Sequence, residues 1–324
     1  MTICILGAGA FGTALAIALS GNEKVQLWGR NEKSTRTIKE TRKNSKLPGH
    51  ELGPNVSVTS DLNEALHGSS LVLCAVPLQN THQVLQNISR YLEGQALIGC
   101  SKGIDLDSGL GGYSILKSLY PDGPVGILTG PSFAVDIAKG LPTALTLASN
   151  ENDDLGEWQI KLSNGTLRIY VSHDPIGAEI GGALKNVIAI ACGAAVGAGL
   201  GESARAALIT RGHAEIIRYA MRLGAQAETL AGLSGFGDLC LTCTSNKSRN
   251  YCYGMELSGT KGLDPSRTIE GKATALAMVP ILKRLDIEMP ITEAVAKLCS
   301  GTANVSEVMA DIMARPLKKE IQCV

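Results

Sequence analysis

A single lysine stands in a run of small apolar residues. In "EIGGALKNVIAIACGAAVGAGLG" (179–201), Lys185 is the one charged side chain between Glu179 and Glu202. An ammonium in that company loses most of its hydration, and a buried lysine is rare unless something needs it there. A second group able to do chemistry lies at the start of the chain. In "ILGAGAFGTALAIAL", Gly7, Gly9 and Gly12 form G-x-G-x-x-G directly after a strand-like run and at the opening of a helical one. Gly7 permits the tight turn, Gly9 lets the backbone approach a pyrophosphate, and Gly12 lets the helix pack on the strand. The helix start then offers amide donors and a positive dipole to the phosphates. Without its context the pattern is only a glycine-rich turn; with a strand before it and a helix after it, it reads as a dinucleotide site.

The residue after the second strand separates the two nicotinamide dinucleotides. An acidic side chain there binds the ribose 2′-hydroxyl, and a cation accommodates a 2′-phosphate. The chain reads "LWGRN", with Arg30 and no carboxylate before Glu32. NADP is favoured, although an arginine also stacks on adenine and tolerates NAD.

Four further stretches set polar residues into glycine-rich sequence. "CSKG" puts Lys102 at the carboxyl end of a predicted strand, where ligands bind in open α/β sheets. "TGPSFA" ends another strand, with Gly130 and Ser132 at the following helix start. "GFGDLCLTCTSNKSRN" offers Asp238, Thr242 and the cluster Ser248, Arg249 and Asn250. "TIEG" contributes Glu270. Cys240 and Cys243 make C-x-x-C, but no second pair or adjacent histidine completes a zinc site. None of the five histidines is given a catalytic role, and His213 reads as a packing or surface residue.

These residues need elements to hold them. The chain's 324 residues suggest two domains. Strands are expected over 2–7, 24–29, 56–60, 70–77, 96–102, 125–130, 143–149 and 167–172, with helical stretches such as 78–92 between them. Several are continuous Val, Ile and Leu runs, the pattern of parallel strands covered on both faces. After about Tyr170 helical periodicity takes over: a helix opening at Asp174 and Pro175, then helices over 203–224, 272–285 and 292–301. The expected fold class is α/β: an N-terminal doubly wound Rossmann-type parallel sheet over 1–172, with an all-helical C-terminal domain over 173–324.

Thirty basic residues balance 30 acidic ones, so no global field points to nucleic acid or a membrane surface. The run 187–201 is too short for a membrane span, and no signal peptide is visible. Nine cysteines, several in apolar runs, read as small buried hydrophobes in a reducing cytoplasm, not a disulfide framework.

Taken in order, "GAGAFGTALA", "WGR", "SKGI", "LTGPSFA", "GGALKNVIAI", "SARAALITRG", "SGFGDLCLTCTS", "SRN", "IEG" and "EMPIT" resemble the bacterial NAD(P)-dependent glycerol-3-phosphate dehydrogenases over nearly the whole chain. The resemblance implies hydride transfer interconverting dihydroxyacetone phosphate and sn-glycerol 3-phosphate. It further implies a supply role in glycerophospholipid synthesis, a cytoplasmic location and a homodimer. It makes Lys185 the general acid/base and places Lys102 against both cofactor and substrate. Gly130 and Ser132 are implied on the substrate, and Ala134 on the cofactor. Asp238, Thr242, Ser248, Arg249 and Asn250 are implied to complete the substrate pocket, with Arg249 also near the cofactor. Gly7, Gly9, Gly12, Ala10, Phe11, Arg30, Thr268 and Glu270 match cofactor positions. The chain departs from relatives in reading "TIEG" where they often read "VVEG", after a short "SGTKGLDPSR" segment.

The chemistry agrees with these residue types. Reduction needs a proton on the ketone oxygen, and a free lysine, at about 10.4, titrates too high to exchange one at neutral pH. Burial among Ala, Gly and Ile is expected to lower that value, and Lys102 adds to the fall if the fold brings it close. The apolar run is then a dry socket that tunes Lys185. Asp238 is suited to orient the ammonium, and Arg249 to grip a phosphate bidentately. Two other readings stand beside this one: a related two-domain dehydrogenase acting on a β-hydroxy acid or sugar phosphate, and a redox-sensing dinucleotide-binding protein.

Overall fold

The computed structural model describes residues 2–150, 155–259 and 269–317, and in it the eight apolar runs of the first half become one sheet. Its strands are β1 (Thr2–Leu6), β2 (Lys24–Trp28), β3 (Val56–Thr59), β4 (Ser69–Cys74), β5 (Ala96–Gly99), β6 (Val125–Thr129), β7 (Thr143–Ala148) and β8 (Leu167–Ser172). Between them run α1 (Ala10–Leu19), α2 (Glu32–Thr41), α3 (Leu62–Leu66), α4 (Thr81–Ile88), α5 (Gly112–Leu119), α6 (Ala134–Ala138) and α7 (Leu155–Leu162). The helix expected over 78–92 is shorter, with a 3-10 turn on either side of α4.

The strand order is β3-β2-β1-β4-β5-β6-β7-β8. The chain begins in the middle, winds out to β3, and resumes on the other side of β1 with β4. The order therefore reverses between β1 and β4, and ligands of such sheets bind beyond the carboxyl ends of the strands at that point. Strands β1 to β6 pair in parallel, and Ile3, Ile5, Leu71, Leu73, Leu97 and Ile98 are buried, as continuous apolar runs require.

The expected all-parallel sheet is interrupted once, where β6 and β7 pair antiparallel before β8 rejoins β7 in parallel. The link from β6 to β7 holds only the five-residue helix α6. A parallel crossover is usually built around a full helix that spans the sheet, and this one is too short for that.

The chain divides into two compact units: Met1–Ser101 with Gly112–Pro175, and Lys102–Gly111 with Ile176–Val324. Lys102 thus belongs to the second unit, although it follows a strand of the first. That unit is helical: α8 (Pro175–Gly197), α9 (Gly201–Arg222), α10 (Ala227–Ala231), α11 (Asp238–Cys243), α12 (Arg249–Ser258), α13 (Glu270–Leu285), α14 (Pro290–Ser300) and α15 (Val305–Met313).

Helix α8 is the axis of this unit's core, with Leu184, Val187, Ile188 and Ile190 fully buried. By length and composition it could cross a membrane, so the expectation that the run is too short is corrected: the helix begins at Pro175, well before the apolar stretch at 187. What marks it as a core helix is that most of its apolar window is buried inside the unit. Its glycines allow close contact with α12. A Cβ on Gly193 would stand 2.0 Å from the carbonyl oxygen of Tyr251, and one on Gly254 would stand 2.1 Å from that of Ile190. Among the described residues all cysteines are free thiols; Cys240 is exposed and Cys252 half-buried, the rest buried, and Cys323 lies outside the described residues.

Candidate active site

In the first unit, the three glycines of the first turn do different work. Gly7 has φ +122, and a Cβ there would sit 2.7 Å from the carbonyl oxygen of Ala75, just past β4. A Cβ on Gly12 would stand 2.1 Å from the oxygen of Gly7, so the helix cannot approach the strand with any larger residue. At Gly9 a Cβ would meet nothing within 4 Å, and this is the space a phosphate needs. Gly9 is the N-cap of α1 and brings no side chain to its amides, so the first turn, opened by Ala10 and Phe11, keeps its donors for an anion.

Beside this turn lies a cleft of ≈ 210 Å³ lined by Gly7, Ala8, Gly29, Arg30, Ser34 and Lys46 among others, with no carboxylate among its described lining residues. The glycine cradle and this cleft fit a nucleotide. Arg30 is exposed at the cleft. Gly130, with φ +131, follows β6; Ser132 donates its hydroxyl to the Gly130 carbonyl (3.2 Å), and Ala134 opens α6. These three residues of the first unit share one turn.

The second unit gathers the other group. Lys185 on α8 is only 6% exposed. Its ammonium donates to Oδ1 of Asp238 and to Oγ1 of Thr242 (2.9 Å). Asp238 is 0% exposed, and its Oδ2 accepts from Nζ of Lys102 at 2.7 Å. One buried carboxylate therefore holds two lysines whose partners lie far apart in sequence. Asp238 is the first residue of α11 and Thr242 sits one turn later on the same face. The Thr242 hydroxyl donates back to the Asp238 carbonyl (2.6 Å), so its lone pairs face Lys185. A single π-helical turn over Leu233–Gly237 precedes Asp238 and sets its entry.

Burial pushes the Lys185 amine down from its ordinary value to about 8. The Asp238 charge opposes that fall and the Lys102 charge adds to it. The balance poises Nζ to hold or release a proton close to neutral pH.

Around this group Ser248, Arg249 and Asn250 open α12. The Ser248 hydroxyl caps the helix, accepting from the amide of Tyr251 (3.2 Å), and so has a structural duty as well as any contact to a ligand. Arg249 is exposed. Asn250 is buried, donating to Oδ1 of Asn186 (2.9 Å) and accepting from the Gly271 amide (3.0 Å). Glu270 opens α13; burial raises its carboxyl above the usual range, against the pull of Arg249, Lys102 and Lys185. Thr268 and most of the "SGTKGLDPSR" segment lie outside the described residues. His213 contacts the Leu230 carbonyl (2.8 Å) and the Phe236 ring. Among the described residues, no three His, Cys, Asp or Glu side chains gather as a metal site.

Asn186, next to Lys185 on α8, is tied to α12 by Asn250 and is not among the residues expected from the sequence. An amide directly after the lysine in an otherwise apolar helix was the available signal. Lys46, in the cleft beside the glycine turn, has no local sequence pattern to mark it.

Comparison with known proteins matches both halves of the chain to one family. The family models for the N-terminus and the C-terminus of NAD-dependent glycerol-3-phosphate dehydrogenase match residues 2–155 and 174–310. The chain is 52% identical to the glycerol-3-phosphate dehydrogenase [NAD(P)+] of Roseobacter denitrificans, over 99% of this chain and 100% of that one. It is 50% identical to the protein of the same name from a Ruegeria species, with the same coverage of 99% and 100%. The crystal structure of glycerol-3-phosphate dehydrogenase from Coxiella burnetii superposes with a TM-score of 0.91 at 33% identity, covering 97% of this chain and 99% of that one.

Proposed function

The chain belongs to the NAD-dependent glycerol-3-phosphate dehydrogenase family, and from that premise we propose that it interconverts dihydroxyacetone phosphate and sn-glycerol 3-phosphate, with Lys185 as general acid and base. The observation that carries the role of Lys185 is its setting: a buried amine, brought down to about 8, held by Asp238 and Thr242. A bound nicotinamide supplies or accepts the hydride. The proton is the task of the protein: Nζ gives it to the ketone oxygen in reduction and takes it from the hydroxyl in oxidation. The charged form of Lys185 also stabilises the alkoxide that develops in the transition state.

Asp238 orients the ammonium and keeps Lys102 beside it; with Lys185 protonated, two ammoniums and one carboxylate leave one net positive charge to meet an anionic substrate. Arg249, with Ser248 and Asn250 at the start of the same helix, grips the phosphate. Gly130 and Ser132 serve the substrate, and Ala134, Ala10, Phe11, Thr268 and Glu270 the cofactor. NADP is preferred over NAD, a reading supported by Arg30 at a cleft with no carboxylate among its described lining residues. A homodimer and a cytoplasmic role supplying glycerophospholipid synthesis belong to the same proposal and rest on the family.

Steady-state reduction of dihydroxyacetone phosphate with NADPH and NADH in parallel tests the reading. Turnover with both and a higher kcat/KM for NADPH is expected, with phosphate-free hydroxy acids inert. Equal turnover of glycerol and glycerol 3-phosphate would overturn the phosphate-gripping role of Arg249.

A further inference from the structure

The loop after α2 carries a second cation to the nucleotide cleft. Helix α2 ends at Arg42, in the left-handed region at φ 59. The Arg42 guanidinium donates to the carbonyls of Gly53 (2.5 Å) and Val56 (2.8 Å), closing the loop on itself. Inside the loop Asn44 is buried, although it is a polar residue in an otherwise exposed stretch. Its Nδ2 donates to the carbonyl of Ala8 (3.2 Å) and to Oγ1 of Thr13 (2.7 Å). Its Oδ1 accepts from the backbone amide of Lys46 (3.0 Å). Leu47, the next residue, is buried in the first unit's core.

The consequence is geometric. Ala8 is the residue inside the glycine turn, between Gly7 and Gly9. One buried amide therefore ties the phosphate-binding turn, the first helix and the backbone of Lys46 together. Lys46 lines the same cleft as Arg30 and Ser34 and is exposed there. Arg30 by itself leaves the choice of dinucleotide open, because a guanidinium both pairs with phosphate and stacks on adenine. An ammonium has no such second use: it is a strongly hydrated point charge suited to a phosphate and of little value to a ribose hydroxyl. Two cations and a hydroxyl at one cleft match a dianionic monoester.

We propose that Lys46, held in register with the glycine turn by Asn44, is the second cation of a 2′-phosphate subsite and with Arg30 sets the preference for NADPH over NADH. This rests on the dinucleotide reading above. Lys46 acts on the ligand directly, and Asn44 is a positioning residue.

The test is equilibrium binding of NADPH and NADH to the whole protein, by quenching of intrinsic fluorescence, for the wild type, Lys46→Met, Lys46→Arg and Asn44→Ala. The two ligands differ only in the 2′-phosphate. Lys46→Met is expected to weaken NADPH by about tenfold and NADH by less than about twofold. Lys46→Arg is expected to keep most of the preference. Asn44→Ala is expected to reduce the NADPH:NADH ratio as well as overall affinity, which a purely structural role would leave unchanged. An unaltered ratio in Lys46→Met, with NADH still bound, overturns the proposal and leaves the dinucleotide reading intact. Failure of the wild type to bind either ligand overturns both.

Discussion

Lys185 and its neighbours set opposing demands on one proton. A lysine kept fully charged cannot act as a base, and one kept fully neutral cannot act as an acid. Burial pulls the amine down, Lys102 pulls the same way, and Asp238 pulls it back, leaving it at about 8. With Lys185 in its proposed role, glycerol 3-phosphate oxidation uses the neutral amine and is expected to rise with pH through about 8. Reduction, which needs the ammonium, is expected to fall over the same range. Asp238→Asn removes the group that favours the charged form, so the residual oxidation profile is expected to move to lower pH. Lys102→Met removes a like charge, so that profile is expected to move to higher pH. Opposite shifts in kcat against pH would show that another group titrates. Lys185→Met keeps length and suits the apolar socket, so folding and NADPH binding are expected to survive while kcat falls by about 10²–10⁴-fold. Lys185→Arg restores charge without a releasable proton and is expected to be nearly as slow. Single-turnover NADPH oxidation checks both, and a Met variant retaining more than about a tenth of the rate makes Lys185 a structural lysine.

At the scale of elements, the start of α14 is satisfied from elsewhere in the chain. Helix α14 follows Met289 and starts with Pro290, neither of which can cap it, and its open, buried amides are met by Glu215 of α9. Glu215 is 4% exposed and accepts from the amides of Ile291 (2.8 Å) and Thr292 (3.2 Å) and from the Thr292 hydroxyl. Burial raises its carboxyl to about 7, with those bonds and Arg218 holding it from going higher. In the unfolded chain it titrates at about 4.3. Between those values the folded state keeps a proton that the unfolded state has lost, so this group favours folding most at low pH and its contribution declines up to about 7. Measured as the difference in unfolding free energy between wild type and Glu215→Gln, the wild type is expected to lose ground as pH rises from 5 to about 7. A difference that does not change with pH would place the titration elsewhere. Glu215→Ala leaves two buried amides without their acceptor and is expected to destabilise by about 1–3 kcal/mol for each, read by urea denaturation.

For the whole molecule, ligand binding and folding are linked, and the glycines separate the two. Gly7 and Gly12 are demanded by the fold itself, whereas a Cβ at Gly9 meets nothing within 4 Å. Gly9→Ala is therefore expected to unfold at the wild-type temperature without ligand and to lose the rise that NADPH brings. At a hundredfold excess over its Kd, that rise corresponds to about 2.7 kcal/mol in the wild type. Thermal melts with and without NADPH check it; an equal ligand-induced shift in Gly9→Ala would mean that no phosphate approaches this backbone.

The sequence by itself determined what is local. Short apolar runs with two-sided burial made eight strands legible, G-x-G-x-x-G in its strand-helix context marked the tight turn that opens α1, and an isolated lysine in an apolar helix marked a buried charge in need of partners. Period and composition act over a few residues, so these signals are complete within their own segments. Tertiary structure decided what depends on distance. The antiparallel β6–β7 pairing follows from how little helix its link contains. Residues 102–111 belong with the helical unit, an excursion that a boundary drawn at 172/173 from composition does not reveal. Asp238 meets Lys102 across 136 residues and Lys185 across 53, and Asn44 meets Thr13 across 31. Such pairings are set by which elements pack together, and the energy of burying a charge or an amide is defined only once its partner has arrived.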